Sequence, residues 1–278
     1  MITIKTSEEI EKMKRGGKIL SEVLSRVAKA CVAGASTEEL DRIAKEGIES
    51  AGGKPSFLHY QISPEDPQYP STVCISINDE VVHGLATPNR IIKDGDLVGL
   101  DIGMWFPVKD PSDPTGGADG LATDMAATVC VGNVSSEARK LSEATRESLK
   151  RGLSVVKDGV WVHEIGKTIE EYLKPMKYGI IKDLCGHGVG HAVHEDPQIP
   201  NYHERRARPV KLKAGMCIAI EPMIALGSWR VKQKDDGWTF VTADGSLAAH
   251  WEVTIAVTKN GFEMITPWPD ISVISTGA

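Results

Sequence analysis

The chain of 278 residues is 41% hydrophobic and 25% charged, with a formal net charge of −6. Those values exclude a disordered or fibrous chain, and the acidic balance leaves no basic footprint for nucleic acid or an anionic membrane surface. No apolar run approaches the roughly 18–20 residues of a membrane span. The first residues, MITIKTSEEIEKMKRGG, lack the apolar centre of a signal peptide. Five scattered cysteines without a CxxC fit a reducing, cytoplasmic compartment better than a disulfide frame or a structural zinc site.

In chain order, Thr6 to Glu9 reads as a capping box, followed by Ile10, Met13, Gly17, Leu20, Leu24 and Val27 at helical spacing. Ser36 to Glu39 repeats the start signal, and Gly52-Gly53 ends that second helix. Residues 72–77, 96–106 and 121–131 read as strands, with a Pro- and Gly-rich loop from Pro107 to Gly120 between the last two. Helical patterns follow at about 136–157 and 161–175, then strand-like segments near 215–224 and 247–257. Helices precede strands twice, which predicts an α+β fold in one domain spanning 1–278, built of two similar halves.

The unusual feature is acid within apolar strands. Asp101, Asp124, Glu221 and Glu252 each stand alone in a different apolar run. A carboxylate in such a run is either on a solvated face or buried and paired. Four of them buried together would repel one another unless cations neutralise them. The segment Gly186 to Pro197 adds His187, His191 and His194. It is neither GxGxxG nor GxxxxGK(S/T), so it fails as a phosphate loop, and it fails as a helical HExxH zinc site because no Glu follows His187 and its glycines disfavour a helix. A strand or tight loop whose glycines admit a bound group closely is the remaining reading. Four carboxylates balance two divalent ions, which carboxylates can bridge in hydrolytic two-metal sites. Oxygen-plus-imidazole ligation suits Co, Mn, Fe or Zn.

These segments resemble the type I methionine aminopeptidases nearly end to end. The resemblance is carried by Ser76 to Gly84 with its His83, by Asp96 to Asp101, by Asp124 with Thr128, and by GHGVG at 186–190. It continues through His194-Glu195-Asp196-Pro197, Glu221-Pro222-Met223, Asp236-Gly237-Trp238 and Glu252. It implies a pita-bread fold of two pseudo-symmetric halves around a curved antiparallel sheet. It also implies two divalent ions on Asp101, Asp124, His187, Glu221 and Glu252. The activity implied is removal of the N-terminal methionine from nascent proteins and peptides with a small second residue, by a metal-bridging hydroxide. Glu221 would double as general base, His194 would donate to the oxyanion, and His83 would contact the substrate near the scissile amide. His191 has no role in this scheme and reads as structural or as a support behind the ligands.

The methionine pocket implied by the resemblance comprises Phe57, Tyr60, Tyr69, Cys74, Val193 and Trp238. An unbranched thioether gains from aromatic and sulfur contacts. The chain departs from the family at four places. An insert at 107–120 separates the two aspartates and makes Asp119 a rival second ligand, an insert at 61–68 enters the pocket loop, and His250 and Val253 flank Glu252 where Gln and His are common. The expected partners are nascent polypeptide N-termini, at the ribosome, for a cytoplasmic monomer that binds neither nucleic acid nor membrane. Proline-specific aminopeptidases share the ligand set but usually carry a further N-terminal domain.

Overall fold

The computed structural model describes residues 1–109, 120–204 and 209–271. Its first half begins with α1 (Ser7–Ala30) and α2 (Thr37–Ser50). The capping box of α1 forms in both directions: the Thr6 side chain accepts from Glu9 N, and the Glu9 carboxylate accepts from Thr6 N at 2.7 Å. At α2 only half of the signal is realised. Ser36 accepts from Glu39 N, while the Glu39 carboxylate pairs with Arg42. Gly17 is the small member of the α1 stripe because a Cβ there would lie 2.1 Å from the Ile265 carbonyl oxygen.

Strands β1 (Lys54–Pro55), β2 (Val73–Ile77), β3 (Glu80–Val82), β4 (Leu97–Phe106) and β5 (Leu121–Cys130) complete this half. The stretch between β4 and β5, for which a surface loop is expected, lies from 110 to 119 outside the described residues, and Asp119 with it.

The second half opens with α3 (Ser136–Ser154) and α4 (Val162–Leu173). Ten short strands follow: β6 (Gly179–Ile180), β7 (Gly186–Gly188), β8 (Glu195–Ile199), β9 (Cys217–Ile220), β10 (Met223–Ala225), β11 (Val231–Gln233), β12 (Phe240–Thr242), β13 (Ala248–His250), β14 (Glu252–Val257) and β15 (Phe262–Met264). Among the described residues, nine strands form one sheet with the order β1-β4-β5-β14-β9-β7-β8, β2 and β15 pairing on β4 and β14. Every pairing in it is antiparallel. The two helix-then-strand halves meet where β5 pairs β14.

The two faces of this sheet differ in chemistry, as a period of two requires. Leu100, Ile102, Met125, Ala127, Ile218, Ile220, Val253 and Ile255 enter the large core together with residues of all four helices. The alternate positions carry Asp101, Asp124 and Glu252. Two segments read as single strands are each broken in two. The run 215–224 divides at Glu221-Pro222 and the run 247–257 divides at Trp251. Pro222 has no N–H to donate to a ladder. Beyond the two breaks, β10 and β13 pair in a separate three-stranded sheet with β6. Glu221 and Glu252 therefore sit where the chain crosses between sheets.

Candidate metal centre and substrate pocket

Five contiguous strands each bring one group to the same place. In sheet order they are Asp101 on β4, Asp124 on β5, Glu252 on β14, Glu221 at the end of β9, and His187 on β7. The register explains the convergence. Asp101 is opposite Ala126, Ala126 is opposite Glu252, and Asp124 is opposite Gly103, so both aspartates and Glu252 share one face. His187 is opposite Ala219, two residues before Glu221. The small side chains of Ala126 and Ala219 leave the space between the acids open.

Asp101, Asp124, His187 and Glu252 are all buried. Single ligand atoms of Asp124, His187 and Glu252 lie within 4.8 Å of one another. His187 Nε2 is 3.5 Å from Glu221 Oε1 and 4.0 Å from Asp124 Oδ2. Burial pushes the Asp101 carboxyl up to about 7. Burial, compounded by neighbouring carboxylates, holds Asp124, Glu221 and Glu252 well above the usual carboxylate range. Asp101 Oδ1, Asp124 Oδ1 and Glu252 Oε1 are buried without hydrogen-bond partners. Oxygen acceptors buried at this density with no donors are costly unless cations satisfy them. The donor set, four carboxylates and a neutral imidazole, fits hard or borderline divalent cations.

Beside the cluster opens a cleft of about 550 Å³, lined by Phe57, Tyr60, Tyr69, Cys74, His83 and Trp238 among others. All the predicted pocket residues pack in one apolar cluster, although Val193 stays behind the wall and does not line the cleft. Tyr69 meets Trp238 edge to face at 5.2 Å, and its hydroxyl donates to the Gly84 carbonyl at 2.9 Å. Gly103 admits the wall: a Cβ there would stand 2.2 Å from Ser56 Oγ and 2.7 Å from the Phe57 ring. The insert at 61–68 leaves the pocket intact. Tyr69 N donates to the Tyr60 carbonyl at 2.9 Å and His59 N to the Tyr69 carbonyl at 2.8 Å, so the extra residues bulge from a closed base.

His194 and His83 both line the cleft. The His194 ring lies 4.4 Å from that of His187, and its Nδ1 is 2.8 Å from the Tyr60 hydroxyl. Although the residue is exposed at the mouth of the cleft, desolvation of its ring, with His187 and His83 nearby, pulls its pKa down to about 3. His83 has a left-handed backbone, φ 58°, of the kind that concentrates at functional sites. Its ring stands 6.3 Å from Trp238 and 5.9 Å from Phe240, and burial lowers its pKa to about 4. Trp238 is set by the Asp236 carboxylate, which accepts from Trp238 N and Thr239 N. His191 lies outside the cleft on Glu9, at 2.6 Å, as its structural reading anticipates.

One contact escaped the sequence reading, and one of the departures named there, His250, faces the site. Lys5 and Glu195 form a buried ion pair beside His194. The His250 ring faces Glu221 and Glu252. A lysine in a polar N-terminal segment carries no sequence signal of burial.

A buried, oxygen-rich cation site at the end of an apolar cleft is the arrangement of a metal-dependent hydrolase. The sequence model of metallopeptidase family M24 matches residues 11–259. The chain is similar to the methionine aminopeptidase of Clostridium acetobutylicum, 40% identical over 96% of this chain and 99% of that protein. It is 39% identical to methionine aminopeptidase 1 of Bacillus subtilis, over 96% and 99% of the two chains. The crystal structure of methionine aminopeptidase from Thermotoga maritima superposes with a TM-score of 0.86 at 39% identity, covering 96% of this chain and 99% of that one. The chain belongs to metallopeptidase family M24 and, within it, to the type I methionine aminopeptidases. Its curved antiparallel sheet and paired halves are the pita-bread fold of that family.

Proposed function

We propose that this chain, acting as one catalytic domain over 1–278, hydrolyses the bond after an N-terminal methionine when the second residue is small. The observation that carries the reading is the junction of two environments. A cluster of three buried carboxylates, with the partly buried Glu221 and His187 beside them, opens directly into an aromatic and thiol pocket.

Asp101, Asp124, His187, Glu221 and Glu252 would hold two divalent ions, drawn from Co, Mn, Fe or Zn. When bound, such ions neutralise the carboxylates and lower the pKa of water toward neutrality. The protein's own contribution is then positional. Phe57, Tyr60, Tyr69, Cys74 and Trp238 enclose the thioether and exclude water from it. The Cys74 thiol is raised well above its usual pKa by burial, so it stays neutral and serves as a soft contact. His194 is neutral at working pH and can donate one N–H to charge developing on the scissile carbonyl oxygen, a contact worth roughly 10²–10³ in rate. Glu221 accepts the proton released by the attacking water, and His83 contacts the amide nitrogen that becomes the leaving amine.

Nascent polypeptide N-termini are the substrates that this pocket suits, at the ribosome in the cytoplasm, with the enzyme a monomer. No helix among the described residues is long and apolar enough to cross a membrane. The test is release of methionine from Met-Ala-Ser, Met-Leu-Ser and an Xaa-Pro peptide, before and after metal stripping and reloading. Metal-dependent turnover confined to Met-Ala-Ser is expected. Equal turnover of the two methionyl peptides defeats the pocket assignment, and cleavage of Xaa-Pro alone makes the chain a proline-specific enzyme.

A further inference from the structure

His250 is the imidazole that the five-residue scheme does not use. It ends β13, one residue before the break at Trp251, and is 3% exposed. Its backbone is clamped: His250 N donates to Thr128 Oγ1 at 2.9 Å, and that hydroxyl donates to the His250 carbonyl at 2.7 Å. β13 is further held by the pairing of His250 with Met223 on β10. The backbone that carries the ring therefore cannot move far without disturbing two sheets. Its Nε2 is buried with no hydrogen-bond partner. That atom stands 3.7 Å from Glu221 Oε2 and 3.9 Å from Glu252 Oε2.

Glu221 and Glu252 both lie where a strand is interrupted, so that no continuous ladder fixes the backbone on both sides. They are the two acids most in need of an outside constraint. An imidazole nitrogen presenting a lone pair to two carboxylates would be repelled by both, whereas an Nε2–H is attracted by both. Each carboxylate offers about four lone-pair sites, enough to hold a cation and still accept from a neighbour. Hydrogen bonds that orient ligating carboxylates are a large part of metal affinity.

We propose that His250 is a positioning residue of the metal centre, its Nε2–H directed at the facing oxygens of Glu221 and Glu252 and attracting both electrostatically. The inference rests on the reading of Asp101, Asp124, His187, Glu221 and Glu252 as ligands. It adds a sixth side chain that holds two of them without itself binding the cation.

The experiment is calorimetric titration of metal-stripped protein with Mn²⁺ alone, for the wild type and for His250→Ala, His250→Leu and His250→Gln. Near-ultraviolet circular dichroism checks that each variant is folded. His250→Ala and His250→Leu should weaken at least one Mn²⁺ site by about 10- to 100-fold. His250→Gln keeps an N–H donor and should stay within about threefold of the wild type, taking ordinary second-partner losses as the scale. Unchanged affinity in His250→Ala overturns the proposal, as does His250→Gln binding as weakly as His250→Leu. If His250→Ala does not fold, the Gln and Leu pair carries the same comparison. A wild type that takes up no Mn²⁺ defeats the ligand reading itself, an outcome separate from a wild type that binds normally and variants that bind equally well.

Discussion

Lys5 Nζ lies 2.6 Å from Glu195 Oε2, and the two side chains are only 1% and 5% exposed. The pair ties the N-terminal segment to the loop that presents His194. Glu195 Oε1 accepts from His191 N and Ala192 N at 2.6 and 3.0 Å, while Oε2 also accepts from Thr3. The lysine stem runs under Gly190, whose φ is 141° and whose Cβ, if present, would lie 2.3 Å from Lys5 Cε. Breaking a buried pair from one side leaves a bare charge, at a cost of about 3–5 kcal/mol. Lys5→Met should therefore cost several times more stability than the double variant Lys5→Met/Glu195→Gln. Urea unfolding of the two single variants and the double decides it; additive losses would mean the pair is not coupled.

Removing a ligand has a distinct signature from removing a substrate contact. Asp124→Asn should lose one of two bound ions and nearly all activity, because the remaining charge no longer balances both cations. His194→Ala should keep its metal and lose mainly kcat. Metal analysis beside steady-state kinetics on both variants checks this. Full metal content and normal rate in Asp124→Asn would make Asp119 the residue to test next.

Acid should act on the fold through His83. Burial lowers its folded pKa to about 4 against an ordinary value of 6.5. Between those values the unfolded chain binds the proton and the folded one does not, so stability declines as pH falls from about 6.5 toward 4. In His83→Asn that part of the decline should be missing. Thermal melts of metal-free protein at pH 7 and 5 measure it; an unchanged difference between the two pH values refutes the assignment.

Gly103→Ala probes the pocket from outside the chemistry. The new methyl would collide with Ser56 Oγ and the Phe57 ring, a backbone-supported wall with little room to retreat. Overpacking of this kind costs about 1–3 kcal/mol. Displacing Phe57 should also raise KM for methionyl peptides more than it lowers kcat. A variant with wild-type KM would show that Phe57 is not part of the methionine wall.

Much of this molecule was legible in its residues. The capping signals at Thr6 and Ser36 set two helix starts, and continuous apolar runs marked the long strands that carry Asp101 and Asp124. The isolated acids were conspicuous because a carboxylate in an apolar strand needs a reason. Patterning could not mark the breaks at Pro222 and Trp251, since both flanking strands are apolar and read as one. Nor could it show that five strands distant in sequence lie side by side, because sheet order depends on pairings between remote segments. Only the tertiary structure decided which face each acid shares, that Tyr60 and Tyr69 close the base of the 61–68 insert, and that Lys5 is buried on Glu195. Only there does His250, conspicuous in sequence as a departure beside Glu252, turn its ring toward both Glu221 and Glu252. Local chemistry writes helix ends and strand faces into the chain, whereas the meeting of side chains across the sheet is fixed by packing of the whole.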